Sequence, residues 1–245
     1  MTAATPFQNQ AQIQDIREFA IVLAVSDLDP SRITEEFIRA QKIIDSRFQL
    51  RGASTRNPQR SQLVFDNGIT IIARTNGIAL IEKISDRPED PQVSTVAAKW
   101  VASLPNLDYQ GLKLEAKRLI PIPNQDAARS FLTEFLVASG AWQSYGQAPV
   151  KTGINFQYEL GRCKLNLAIA EAIIKQENQA DPWQQDVAGL LFSGTFIYPA
   201  FKDNKLTQAQ QAIANSQSDW QEFNQIIEQV FLNPDNAILQ QVMFG

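Results

Sequence analysis

The chain has 245 residues, 44% hydrophobic and 20% charged, with a formal net charge of −4; this fits a packed globular protein and argues against a basic coat for nucleic acid or an anionic membrane. It contains no histidine and one cysteine, Cys163, which excludes Ser-His and Cys-His catalysis, an internal disulfide and a cysteine-based zinc site. Residues 1–16 lack a cationic lead and an apolar run, and no segment approaches the roughly 20 apolar residues of a spanning helix, so neither a signal peptide nor membrane insertion is expected and the expected location is cytoplasmic.

Gln8, Gln10, Gln12 and Gln14 mark a polar arm over residues 1–16, expected to be flexible. Phe19 to Val25 is a short apolar run, which predicts a central strand covered on both faces. Asp29 before Pro30 supplies an N-cap and a first-turn proline, and Ile33, Phe37, Ile38, Ile44 and Phe48 recur at helical spacing, predicting a helix over 30–48. From Gln62 to Ile84 the pattern changes to period two, interrupted at Asp66-Asn67-Gly68 and at Asn76-Gly77, which predicts three antiparallel strands joined by hairpins. Asp90-Pro91 repeats the cap-plus-proline device, and Val93, Val96, Ala97, Trp100, Val101 and Leu104 form a helical stripe ending before Pro105.

The same order then restarts. A strand over Leu112 to Ile120 leads through Pro121 and Pro123 to a helix carrying Phe131, Leu132, Phe135 and Leu136, stopped at Gly140. Strands follow at Ile154 to Leu160, Lys164 to Ala170 and Val187 to Tyr198, with Gly161 at the first turn and a polar insertion at Lys175 to Gln185. Thr207 with Gln210 and Ser218 with Gln221 have capping-box spacing, which predicts a short helix and then a longer one burying Trp220, Phe223, Ile227, Val230 and Phe231.

The fold class is therefore α+β, with two pseudo-repeats of β-α-β-β-β-α, antiparallel sheets and helices packed on one face. Residues 17–106 form the first half, 107–232 the second, and 233–245 a C-terminal apolar tail. Pro30 and Pro123, Phe65 and Tyr158, and Gly68 and Gly161 each differ by 93 positions, the spacing expected of an internal duplication. The halves can join edge to edge in one curved sheet or face to face around a pocket, and the sequence leaves both open.

Three segments stand out as partner-binding candidates. Arg47, Arg51, Arg56 and Arg60 lie in a loop without acids, suited to phosphates or carboxylates, although a solvated charged loop is the commoner arrangement and no aromatic interleaves for base stacking. Trp142 and Tyr145 sit among Gly140, Gly146 and Gly153, either as a protein-contact loop or as rings folded back on the sheet edge. Ile238, Leu239, Val242, Met243 and Phe244 make an apolar cluster to be covered by the protein's own sheet, a partner or a second copy. The acid pairs Asp27 with Asp29, Glu35 with Glu36 and Glu89 with Asp90 read as helix caps and first-turn acids rather than catalytic dyads. Without a histidine to activate it, Cys163 reads as a strand residue with a protonated thiol.

No catalytic, metal or cofactor motif is present, and the expectation is a non-enzymatic binding or assembly protein recognising another protein. The alternatives are a small-molecule binder or carboxylate-dependent enzyme with its site between the halves, and RNA or single-stranded DNA binding through the arginine loop. Homo-oligomer formation is left open.

Overall fold

In the computed structural model, which describes residues 15–52, 54–84, 91–174 and 186–233, the period-two segments pair as strands of a single sheet. The strands are β1 Ile16–Ser26, β2 Thr55–Asn57, β3 Arg60–Val64, β4 Ile69–Arg74, β5 Gly77–Ile84, β6 Asp108–Pro121, β7 Gly153–Glu159, β8 Lys164–Ile174 and β9 Val187–Ile197. Among the described residues these nine run in the order β2-β3-β4-β5-β1-β6-β9-β8-β7, every pairing antiparallel. The joint is the β1–β6 ladder, from Ile16 opposite Leu119 to Ser26 opposite Asp108, with one bulge at Ala24 and Val25. The strands before and after residue 106 thus meet edge to edge.

Alternation sends Phe19, Ile21 and Leu23 of β1, Leu80 of β5, Leu114 of β6 and Phe192 and Phe196 of β9 to one face, where all are fully buried. Among the described residues four helices cover that face: α1 Glu35–Ala40, α2 Val93–Ser103, α3 Gln125–Ser130 and α4 Lys205–Ile226. Phe19 meets Trp220 with ring centroids 5.2 Å apart, and Phe131 meets Phe192 at 6.5 Å. Phe231 packs on Phe156 at 5.3 Å, and α1 reaches α2 through Phe37 and Trp100 at 6.1 Å. Each such side chain contributes roughly 1.5–3 kcal/mol on leaving water, so these contacts are a main part of what holds the helical layer to the sheet. β1 is central as expected, but the described helices cover only one of its faces, because Glu18, Ala20, Val22 and Ala24 point away from them. Among the described residues no helix is long and apolar enough to cross a membrane.

Several helix boundaries differ from the sequence expectation. The helix expected over 30–48 is a 3-10 turn, Pro30–Arg32, followed by the short α1. Asp29 caps the turn, accepting from the Ser31 amide at 3.0 Å and the Ser31 hydroxyl at 2.6 Å. Thr34 then adopts an extended conformation and starts a new helix, its hydroxyl accepting from the Phe37 amide. Lys42, at φ 52, ends α1 as Ile43 N–H donates back to the Ile38 carbonyl, a helix stop that glycine usually makes.

At the other end of the chain, Ser218 is an exposed residue inside α4 rather than a cap, and the expected split helix is continuous over its 22 residues. It runs on as a wider turn, Ile227–Phe231, where Val230 is 62% exposed instead of buried. Of the cap-plus-proline pair at 90–91, Asp90 lies outside the described residues. At the start of α2 the buried Glu82 of β5 accepts from the Val93 amide at 2.8 Å. The polar arm up to residue 14, the insertion at 175–185 and the apolar tail from residue 234, with Ile238, Leu239, Val242, Met243 and Phe244, likewise lie outside the described residues.

Both glycine turns exist, for different reasons. Gly68 has φ +88, and an added Cβ would sit 2.8 Å from the Lys83 carbonyl. Gly77 is not in a left-handed conformation; it opens β5 next to β1, where a Cβ would lie 2.7 Å from the Leu23 carbonyl. Gly161, by contrast, has open space around it and no positive φ. Gly68→Ala is expected to destabilise by about 1–3 kcal/mol and Gly161→Ala to stay within about 0.5 kcal/mol. Urea denaturation of both variants checks this, and equal effects would contradict the turn geometry.

Candidate binding surface

The face turned away from the helices is built by the other parity of each strand. Val22 of β1 lies opposite Ala79 of β5, which lies opposite Ile72 of β4. One step along, Ala20 faces Ile81 and Ile81 faces Thr70. Val22, Ile72, Ala79, Ile81 and Ala20 form an apolar band over β4, β5 and β1, with Thr70 at its margin. Beyond the joint the face becomes polar, with Lys113, Glu115 and Lys117 on β6, Ser193 and Thr195 on β9, and Asn166 on β8. A shallow depression of about 820 Å³ lies over the joint, lined by Val22, Ile72, Ala79 and Ile81 on one side and Lys113, Glu115 and Ile197 on the other.

A second cavity, of about 430 Å³, lies on the helical side between residues 198–202 and α4. Its polar walls are already engaged. Gln208 donates to the Asp203 carbonyl at 2.7 Å and accepts from the Lys202 amide at 3.3 Å. Tyr198 donates its hydroxyl to the Asp219 carboxylate at 2.5 Å, and Arg162 binds Asp219 through Nε at 2.7 Å and also reaches Glu222. Asp219 is fully buried; burial pushes its carboxyl above the ordinary range, against the pull of the Tyr198 hydrogen bond and the Arg162 guanidinium. Burial likewise pushes the Tyr198 phenol up. This network ties the β7–β8 turn to α4 and engages the buried polar groups beside the cavity.

The arginines named from the sequence do not converge. Arg47 is exposed, stacks over Phe48 with its guanidinium 4.7 Å from the ring, and pairs loosely with Asp45 at 3.7 Å. Arg51 is exposed in the loop leading to β2, where its amide donates to the Val64 carbonyl. Arg56, on β2, turns toward the helical side, where its charge helps lower Asp29 and Glu36. Arg60, on β3, faces the open side opposite Arg74. In the second loop Tyr145 is 88% exposed, whereas Trp142 folds back on Gly140 and donates to the Ala138 carbonyl at 3.4 Å. Glu35 pairs with Arg39 at 2.6 Å and Asp29 caps, so both acids have structural work. Arg74 and Lys83 also lie on the open face; no cluster in the sequence marks them, and the parity of β4 and β5, Ile72-Arg74 and Ala79-Ile81-Lys83, is the signal that puts them there.

No protein-family model matches the chain, and no curated protein matches its sequence.

Cys163 sits in the turn just before β8, buried, and burial reinforced by the Asp219 charge pushes its thiol up to about 11 from an ordinary 9.0. The folded state therefore holds this proton more tightly than the unfolded chain. The resulting stability is full below pH 9 and is lost as pH rises toward 11. In Cys163→Ala the fall in stability across that window is expected to be shallower by on the order of 2 kcal/mol. Urea titrations on either side of the window measure it, and parallel profiles would contradict the assignment.

Proposed function

We infer that the chain is a non-enzymatic binding or assembly protein that recognises another protein through the uncovered face of its sheet. The observation that carries this reading is the apolar band of Val22, Ile72, Ala79 and Ile81, continuous with the depression over the β1–β6 joint and turned away from every described helix. Its breadth and shallowness suit a macromolecule better than a small ligand, which prefers a concave site. Exposed Tyr145, with Trp142 beside it, is proposed as a further contact. The single cysteine fits a reducing compartment, and a cytoplasmic location is proposed with it.

Residues 17–106 and 107–232 are further proposed to be duplicated units. Supporting this, the strands read outward from the joint as β1-β5-β4-β3 on one side and β6-β9-β8-β7 on the other. Phe65 to Gly68 and Tyr158 to Gly161 both belong to the hairpin between the last two strands of those series. The short β2 has no counterpart, and only Gly68 of the two glycines is left-handed.

A photo-crosslinking residue at Ile72 or Ile81 is expected to give a discrete protein adduct in cells, and one at exposed Gln225 on α4 to give none. An adduct from Gln225 alone, or from neither face, would remove the proposal.

A further inference from the structure

The chain carries a net charge of −4, yet its open face has a surplus of cations. Its acids are already matched: Glu115 with Lys113 at 2.6 Å, Glu18 with Lys117 at 2.9 Å and Glu159 with Lys164 at 3.1 Å. Arg60, Arg74 and Lys83 have no carboxylate partner among the described residues. Arg60 donates to Gln62 at 2.5 Å, but its Nε is buried with no hydrogen-bond partner. Arg60 and Arg74 face each other across β3 and β4 at one end of the apolar band. Lys83 stands opposite Glu18 at the other end. Arg74 pairs with Gly77, six residues before Lys83 on β5, so the two cationic ends are about 20 Å apart along the strands.

The geometry points to an acidic amphipathic helix of another protein as the occupant of this face, its apolar side on Val22, Ile72, Ala79 and Ile81 and its carboxylates on Arg60 and Arg74 at one end and Lys83 at the other. This rests on the protein-binding reading above and names the partner's chemistry. A spacing of about 20 Å corresponds to about 13 residues of helix. A helix suits the site because a partner strand would add to a sheet edge, whereas the side chains of a sheet face receive a helix, as they do on the opposite side of this same sheet. A second copy is disfavoured, since stacking two such faces sets unmatched cations against each other. The described strands present no aromatic ring to this face, and Tyr198 at the edge of the depression is buried and bonded to Asp219, so single-stranded nucleic acid would find charge but no stacking platform.

The test uses the full chain and two fluorescein-labelled synthetic helices with a leucine face, one carrying glutamates at both ends and the other lysines, alongside a single-stranded oligonucleotide and phosphatidylserine vesicles. The glutamate peptide is expected to bind at least tenfold more tightly than the lysine peptide and to weaken as salt rises. Arg74→Glu combined with Lys83→Glu, both exposed positions, is expected to lose at least tenfold toward the glutamate peptide and to gain affinity for the lysine peptide. Equal binding of the two peptides, an unchanged double variant, or Arg74- and Lys83-dependent binding of oligonucleotide or vesicles in place of the glutamate peptide would overturn the assignment. If neither peptide binds while the photo-crosslinker at Ile81 still yields a protein adduct, the acidic helix is wrong and the protein-binding reading survives; loss of both signals removes both.

Discussion

The pairing of β1 with β6 is the contact on which the rest of the molecule depends. Two short antiparallel sheets, each with one apolar face, must either stack those faces or line them up. The long ladder from Ile16 to Ser26 lines them up, and two consequences follow. The apolar faces become one continuous floor, so all the described helices gather on one side, and no described element forms a layer on the other. An antiparallel sheet tolerates this because one solvated face costs little when its residues are polar or small. The face opposite the helices meets that condition on β6, β9 and β8 but not on β4, β5 and β1.

A second consequence concerns the helical layer, which has to bridge the joint. α4 does so, contacting β6, β1 and α2. Its position is fixed by polar ties as well as by rings. Arg118 on β6, buried, reaches Asp15 at 2.8 Å and Glu228 at 2.7 Å, and Ser216 donates to the Ser94 hydroxyl or the Ile213 carbonyl. The Arg162, Asp219 and Tyr198 network holds the same helix to the β7–β8 turn. Breaking one partner of such a buried set leaves a charge uncompensated, so these residues specify where the helix sits. The sheet ends are also guarded: β2 is three residues long, and β7 presents Asn155, Gln157 and Glu159 at its exposed positions, features that discourage edge-to-edge association.

Much of this was legible from local pattern. Period two located β3, β4 and β5, and the apolar stripe from Val93 to Leu104 located α2, because both signals are set by neighbours a few residues away. The expected helix over 30–48 came out shorter because Thr34 caps more strongly than the apolar spacing around it propagates. α4 is continuous because the burial of Trp220 and Phe223 against the sheet outweighs the capping tendency of Ser218. The joint itself was not legible, since a ladder between residues about a hundred positions apart leaves no local trace. The same holds for the proposed binding surface. Arg60 was singled out as part of a loop cluster, whereas its relevant neighbour is Arg74 across a hairpin, and Lys83 joins them only once β5 has been placed in the sheet. Charge density along the sequence therefore pointed to the loop, and charge on the folded surface points to the open face.

The described helices cover one face of this single sheet and leave the other uncovered. Single cysteines at adjacent positions test it most directly, since Ile21 and Leu80 point to the helices while Val22 and Ile81 point away, and native Cys163 is buried. Thiol-labelling rates in the native protein are predicted to be fast at 22 and 81 and slow at 21 and 80. Slow labelling at all four positions would mean that the chain covers both faces, and the open binding surface would then not exist.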